Sequence, residues 1–140
     1  MPPNQRSIIA AKQWLSRARG SYARACQSKP AEGFWEDLCF DAQQAAEKSI
    51  KAVMILLGLK FPYTHDIGKL FEQLTVAGVT ISPDIESAAA LTEYAVETRY
   101  PGWGEPVTED EYKEALTLAC AVLDWATKQI TSTEPPLVGT

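Results

Sequence analysis

Apolar residues recur at helical spacing along nearly the whole chain. Ile8, Ala11, Leu15, Ala18, Tyr22 and Ala25 form one stripe, which predicts a helix over roughly residues 5–28. At 100° per residue, Arg6, Arg17 and Arg24 fall on a line well away from that stripe, so they face solvent or a partner. A second stripe, Trp35, Leu38, Cys39, Ala42, Ala45, Ala46, Ile50, Val53 and Leu57, predicts a long helix from about Phe34 to Leu57 with Gly58 as its stop. Gln44, Lys48 and Lys51 lie on its other side. Between the two, "SKPAEG" has the Pro and Gly of a short connection between antiparallel helices.

Ile67, Leu70, Phe71 and Leu74 mark a shorter helix from about Asp66 to Ala77, ended by Gly78. Ser82 is the expected N-cap of a fourth main helix, with Pro83 at its first position, where the missing N–H costs nothing. That helix is predicted to reach about Arg99. Thr108 and Glu111 have the spacing of a capping box, and the last helix continues through Ala115, Leu116, Ala119, Val122, Leu123, Ala126 and Ile130. No segment alternates like a half-buried strand, and no repeat is visible. The expected fold is all-α: an antiparallel up-and-down bundle of four main helices plus one shorter helix, in a single domain over residues 5–131. The remaining "STEPPLVGT", residues 132–140, is expected to be a disordered tail.

Composition narrows the class. With 140 residues, 46% of them hydrophobic, the chain supports one sizeable core. No apolar run approaches the roughly 20 residues that span a bilayer. "MPPNQRSIIAAKQ" lacks the basic start, apolar centre and cleavage site of a signal peptide, so a cytoplasmic protein is expected. Cys26, Cys39 and Cys120 are odd in number and widely spaced, which with a single His argues against a disulfide framework or a metal site, and no cofactor is expected. The net charge of −5 is unevenly spread: residues 1–31 carry Arg6, Lys12, Arg17, Arg19, Arg24 and Lys29 and no acid, +6, which leaves −11 for the rest. Charge complementarity between neighbouring helices and an anion-binding footprint both follow from such a split.

Four places could carry chemistry. His65, the only histidine, stands in "PYTHDIGKL" just before a predicted helix. Asp66, or alternatively Thr64, is suited to cap that helix, which leaves His65 either to hydrogen-bond within the connection or to meet a ligand. Arg99 continues the stripe Ile85, Ala89, Thr92, Val96, so a guanidinium falls on a core-facing side, where it needs a carboxylate, a helix-end carbonyl or an anionic ligand. "YPGWGEP" holds Tyr100 and Trp103 in a loop, where they either stack on a base or close the bundle end. Lys48 and Lys51 form a positive face, with Glu47 and Lys51 at favourable i,i+4 spacing and Ile55 on the same side.

In this order, "DAQQAAEKSIKAVMILLGLKFPYTHDIGKLFEQL" followed by "ALTEYAVETRYP" resembles the HEPN domain family, the higher eukaryotes and prokaryotes nucleotide-binding domain. "QQAAEKSIKA", "THDIGKL" and "TRYP" are the most specific pieces. The resemblance implies an antiparallel bundle of four or five helices that dimerises, often alongside a nucleotidyltransferase in a toxin–antitoxin-like pair. Other members are ribonucleases, whose signature is Arg, four to six residues, then His, with the His moving protons during RNA cleavage. Here no His follows position 65, so the signature is absent. The resemblance therefore implies a non-catalytic homodimer that binds a nucleotide or RNA phosphate, or partners a nucleotidyltransferase, with Lys48, Lys51, His65, Arg99, Tyr100 and Trp103 as candidate contacts. Two alternatives stand beside it: a degenerate ribonuclease using His65 and Arg99, and a pure interaction module.

Overall fold

The computed structural model describes residues 4–95 and 106–133. They form α1 (Gln5–Ala25), α2 (Trp35–Leu56), α3 (Ile67–Val76), a single turn α4 (Pro83–Glu86) running on into a 3-10 segment (Ser87–Tyr94), and α5 (Glu109–Thr133). The class is all-α, as expected. Among the described residues no helix is long and apolar enough to cross a membrane.

The architecture centres on α2. α1 packs along one side of it and α5 along another, while α3 and the 3-10 segment close the rest. Buried residues therefore occupy most of the circumference of α2, from Leu38 and Cys39 through Ala45, Ala46, Ile50 and Val53 to Leu56, and leave one stripe through Asp37, Asp41, Gln44, Lys48 and Ile55 partly open. A helix covered over most of its surface must be apolar there, or must pair whatever polar groups it carries. α1 and α5 bury single stripes: Ile8, Ala11, Leu15, Ala18 and Ala25 on one, Ala115, Ala119, Val122, Ala126 and Ile130 on the other. All but Ala18 belong to one hydrophobic cluster.

The helix ends follow their local chemistry. Asn4 caps α1 by accepting the Ser7 N–H at 2.8 Å. Thr108 and Glu111 form the reciprocal box expected of them: each backbone N–H donates to the other's side chain at 3.1 Å. Glu36 of α2 accepts the Val107 N–H at 2.8 Å, which ties the entrance of α5 to the start of α2. Nearby, Trp35 and Tyr112 stack with ring centroids 4.8 Å apart, and the Tyr112 hydroxyl donates to the carbonyl of Ala25. Burial pushes the Cys39 thiol up to about 12, so it is an inert core group.

The fourth element differs from the helix expected over residues 83–99. Ser82 and Pro83 do take the N-cap and first-turn places, although the Ser82 side chain makes no capping bond. Beyond Glu86 the chain tightens to three residues per turn. Ala88 and Leu91 are then the buried pair, with Tyr94 half-buried, instead of the stripe through Ile85, Ala89 and Thr92. Two side-chain bonds accompany the change: Ser87 donates back to the Pro83 carbonyl at 3.0 Å, and the Thr92 hydroxyl accepts the Ile67 N–H at the start of α3 at 3.1 Å. Val96 and Arg99, and the tail residues from 134 on, lie outside the described residues.

α2 and α3 end alike. Gly58 and Gly78 take left-handed φ of 71° and 96°, and each is followed by a backbone N–H that reaches back over the last turn, Leu59 to Met54 at 2.9 Å and Val79 to Leu74 at 3.0 Å. A Cβ at either glycine meets nothing within 4 Å, so any cost of substitution is one of backbone conformation alone. Gly58→Ala and Gly78→Ala are each expected to lose about 1 kcal/mol, a fall of about 4 °C in melting temperature by calorimetry. Gly20→Ala, in the middle of α1 with open space around it, is expected to hold or raise stability by up to about 1 kcal/mol.

Candidate functional site

The stretch from Thr64 to Asp66 is built into the entrance of α3. The Asp66 carboxylate accepts the Lys69 N–H at 3.2 Å and so caps the helix, while the Thr64 hydroxyl accepts the Asp66 N–H at 3.0 Å. Those bonds fix the backbone on both sides of His65. Its ring is thereby directed at α2, where Nδ1 lies 2.8 Å from Oε1 of Glu47.

Glu47 is the centre of the site. Its side chain is only 6% exposed, and it gathers three partners: His65 and the Gln43 amide, at 3.0 Å, on Oε1, and the Lys51 ammonium, at 2.9 Å, on Oε2. Gln43 also reaches the His65 carbonyl at 3.4 Å and accepts from Gln44 at 2.8 Å. Burial alone would raise the Glu47 pKa. The hydrogen bonds from Lys51, Gln43 and His65 outweigh it, and the carboxyl is held below the ordinary glutamate range. With Glu47 ionised, Nδ1 of His65 must carry the proton it shares with the carboxylate. Nε2 is then the acceptor of the neutral ring, on a side chain that is 54% exposed.

The Lys51 ammonium also lies 5.1 Å from the centre of the Phe61 ring, and Phe61 packs edge-on against Trp14 of α1. The positive face expected of Lys48 and Lys51 is thus divided: Lys51 is buried, and its charge is paired with a carboxylate one turn away. Burial of Lys51 at the edge of the open stripe is the physical reason, because a buried ammonium needs a counter-ion.

Lys48 points elsewhere. One step round the helix, it donates to the hydroxyl of the buried Ser21 on α1 at 2.9 Å. Partial burial lowers its pKa, and repulsion from Arg24 and Arg17 lowers it further, against the opposing pull of Glu47 and Asp41. Arg24 is itself paired with Asp41 at 2.9 Å and stays 61% exposed. Three basic side chains therefore converge on the α1–α2 seam. The expected site residues accordingly divide into two groups: Lys51 and His65 meet on Glu47, and Lys48 joins Arg17 and Arg24. Arg99, Tyr100 and Trp103 lie outside the described residues.

Residue reading missed Glu47 and Gln43 as a centre. The i,i+4 spacing to Lys51 was a signal, but it describes a surface pair equally well. The line of Arg17 and Arg24 was visible, whereas its neighbour Lys48 on another helix was not. Among the described residues, no group of three or more His, Cys, Asp and Glu side chains is placed to hold a metal ion.

The HEPN domain family model matches residues 11–130. Among solved structures, TT1696 from Thermus thermophilus is 30% identical, with 89% of this chain and 96% of that one covered at a TM-score of 0.61. ST0689, an archaeal HEPN homologue, is 27% identical over 93% of this chain and 99% of that one, at a TM-score of 0.55. No curated protein matches.

The buried network predicts its own thermodynamics. Glu47→Gln leaves the 11%-exposed Lys51 without its carboxylate, and should cost about 3 kcal/mol in urea unfolding at neutral pH. Glu47→Leu combined with Lys51→Met should recover most of that loss. Because the folded protein depresses the Glu47 pKa, its stabilisation is complete above the unfolded value of about 4.3 and is lost as pH falls through the lower folded value. The stability gap between wild type and Glu47→Gln should therefore narrow as pH falls below about 4.3; a gap that stays constant down to acid unfolding would refute the assignment.

Proposed function

This chain belongs to the HEPN domain family, and from that premise we propose that it binds the phosphate of a nucleotide or nucleic acid without cleaving RNA. The observation that carries the reading is the convergence of Arg17, Arg24 and Lys48 on one seam, close enough for the two guanidinium groups to depress the lysine pKa. Mutually repelling cations held together by a fold are stabilised by an anion that sits among them. Ser21 adds a hydroxyl at the same place. The internal pairing of Lys51 with Glu47 removes that lysine from direct phosphate contact, and His65, bonded to the same Glu47, enters the proposal as a sequence candidate. Arg99, Tyr100 and Trp103 enter the proposal as sequence candidates for a second cation and a stacking face.

The missing His after Arg99 supports a role without RNA cleavage. The one observation favouring the ribonuclease alternative is the His65–Glu47 pair, since a carboxylate that orients an imidazole is the arrangement general acid–base catalysis uses. A homodimer and a nucleotidyltransferase partner belong to the same proposal through the family. The exposed Phe34, Phe40 and Tyr63 offer apolar surface for such contacts.

Titration calorimetry with ATP, AMP, adenosine and a short RNA tests the reading. Binding should require phosphate and weaken as salt rises. Lys48→Ala should raise Kd about tenfold, or 1.4 kcal/mol, and RNA should stay intact with wild type and with His65→Ala. No binding to any of these ligands, or an unchanged Kd for Lys48→Ala, sinks the phosphate site; cleavage lost only in His65→Ala moves the assignment to the ribonuclease.

A further inference from the structure

Away from the α1–α2 seam, α3 and the turn of α4 with its 3-10 extension leave an open groove of about 550 Å³ between them. Phe71, buried and edge-on to Trp125 of α5, lines it, and Gly68 and Ala89 leave it open because neither projects a large side chain. A Cβ built on Gly68 would already lie 3.7 Å from that of Ala89, so anything larger there would begin to close the space. Val76, an apolar residue 90% exposed, stands on the rim. Two carboxylates, Glu72 on α3 and Glu86 on α4, flank the apolar lining, and both residues are exposed.

The two charged side chains that line the groove, Glu72 and Glu86, are both acids, and the chain segment that builds it is acidic as a whole. From residue 66 to residue 95 the chain holds Asp66, Glu72, Asp84, Glu86 and Glu93 against the single base Lys69, a net −4. An apolar trough with acidic edges is complementary to a helix that presents apolar residues at i, i+3 and i+4 and flanks them with Lys or Arg. The volume is that of an ordinary ligand cleft, with room for the side chains of about one helical turn and too little for a whole helix. We propose that the α3–α4 groove docks a basic amphipathic helix of a partner protein, its apolar residues on Phe71 and Val76 and its cations on Glu72 and Glu86. This surface is distinct from the basic seam, so one chain can hold an anionic ligand and a cationic partner at once.

The probe is a fluorescein-labelled 18-residue peptide of Leu and Lys at helical spacing, with a companion in which every Lys is Glu, titrated into the full-length chain by fluorescence anisotropy. The Lys peptide is expected to bind with micromolar Kd, and the Glu peptide at least tenfold more weakly. Val76→Asp and the double variant Glu72→Lys/Glu86→Lys should each raise the Kd of the Lys peptide tenfold or more. Glu32→Lys/Asp124→Lys, which makes the same charge change at other exposed positions, should leave it unchanged, with circular dichroism confirming that every variant is folded. Amide shifts on binding should concentrate at residues 68–76 and 86–89. The proposal is overturned if the Lys peptide does not bind, if the two double variants weaken it equally, or if the shifts map elsewhere. It is also overturned if sedimentation shows a dimer that Val76→Asp dissociates, because a second copy would then be the occupant.

Discussion

A carboxylate buried in the middle of the central helix has to be neutralised and hydrogen-bonded where it stands, and much of this bundle's arrangement follows from how Glu47 meets that requirement. Removing an ion from water costs several kcal/mol unless partners replace the solvent. Lys51 supplies the opposite charge from the same helix, and Gln43 supplies an amide from the preceding turn. His65 comes from another segment, and this is what gives the network a tertiary role: its bond to Glu47 draws the connection after α2 back over that helix and aims the start of α3. Among the described residues no buried side-chain nitrogen or oxygen is left without a partner. Such a network is high in cost if any member is lost and specific in geometry when complete.

The same requirement sorts the positive charges of the chain. Lys51 is consumed internally. Lys48, a single step round the helix, leans instead toward α1, into the field of Arg17 and Arg24. Two lysines three residues apart thus have opposite fates, decided by which neighbour covers each side of α2. A binding reading that treated them as one patch would count a charge that the fold has already used.

Charges of opposite sign gather at different places on the molecule, and the division follows the elements. The basic residues belong to α1 and the seam it makes with α2, whereas α3, α4 and the 3-10 segment are acidic around an apolar trough. Gathering like charges on one surface costs some mutual repulsion, as the lowered pKa of Lys48 shows, and presents two distinct fields to solution.

Much of this was determined by sequence alone. Helical periodicity located α1, α2, α3 and α5, because a stripe at 3.6-residue spacing has one physical use in a helical bundle. Caps and stops were legible for the same local reason: Asp66, the Thr108–Glu111 box, Gly58 and Gly78 act through bonds within a few residues of themselves. Only the tertiary structure decided the rest. The stretch after Glu86 took a three-residue pitch with Ala88 and Leu91 inward, a choice bound up with the contact of Thr92 with α3 and invisible to a 3.6-residue stripe. Whether Glu47 and Lys51 were a solvated pair or a buried one depended on what lay over α2, and their link to His65 spans 18 positions of sequence. Local spacing sets which groups can meet on one helix, but dielectric and partnership are set by the neighbours, and those come only with the packed chain.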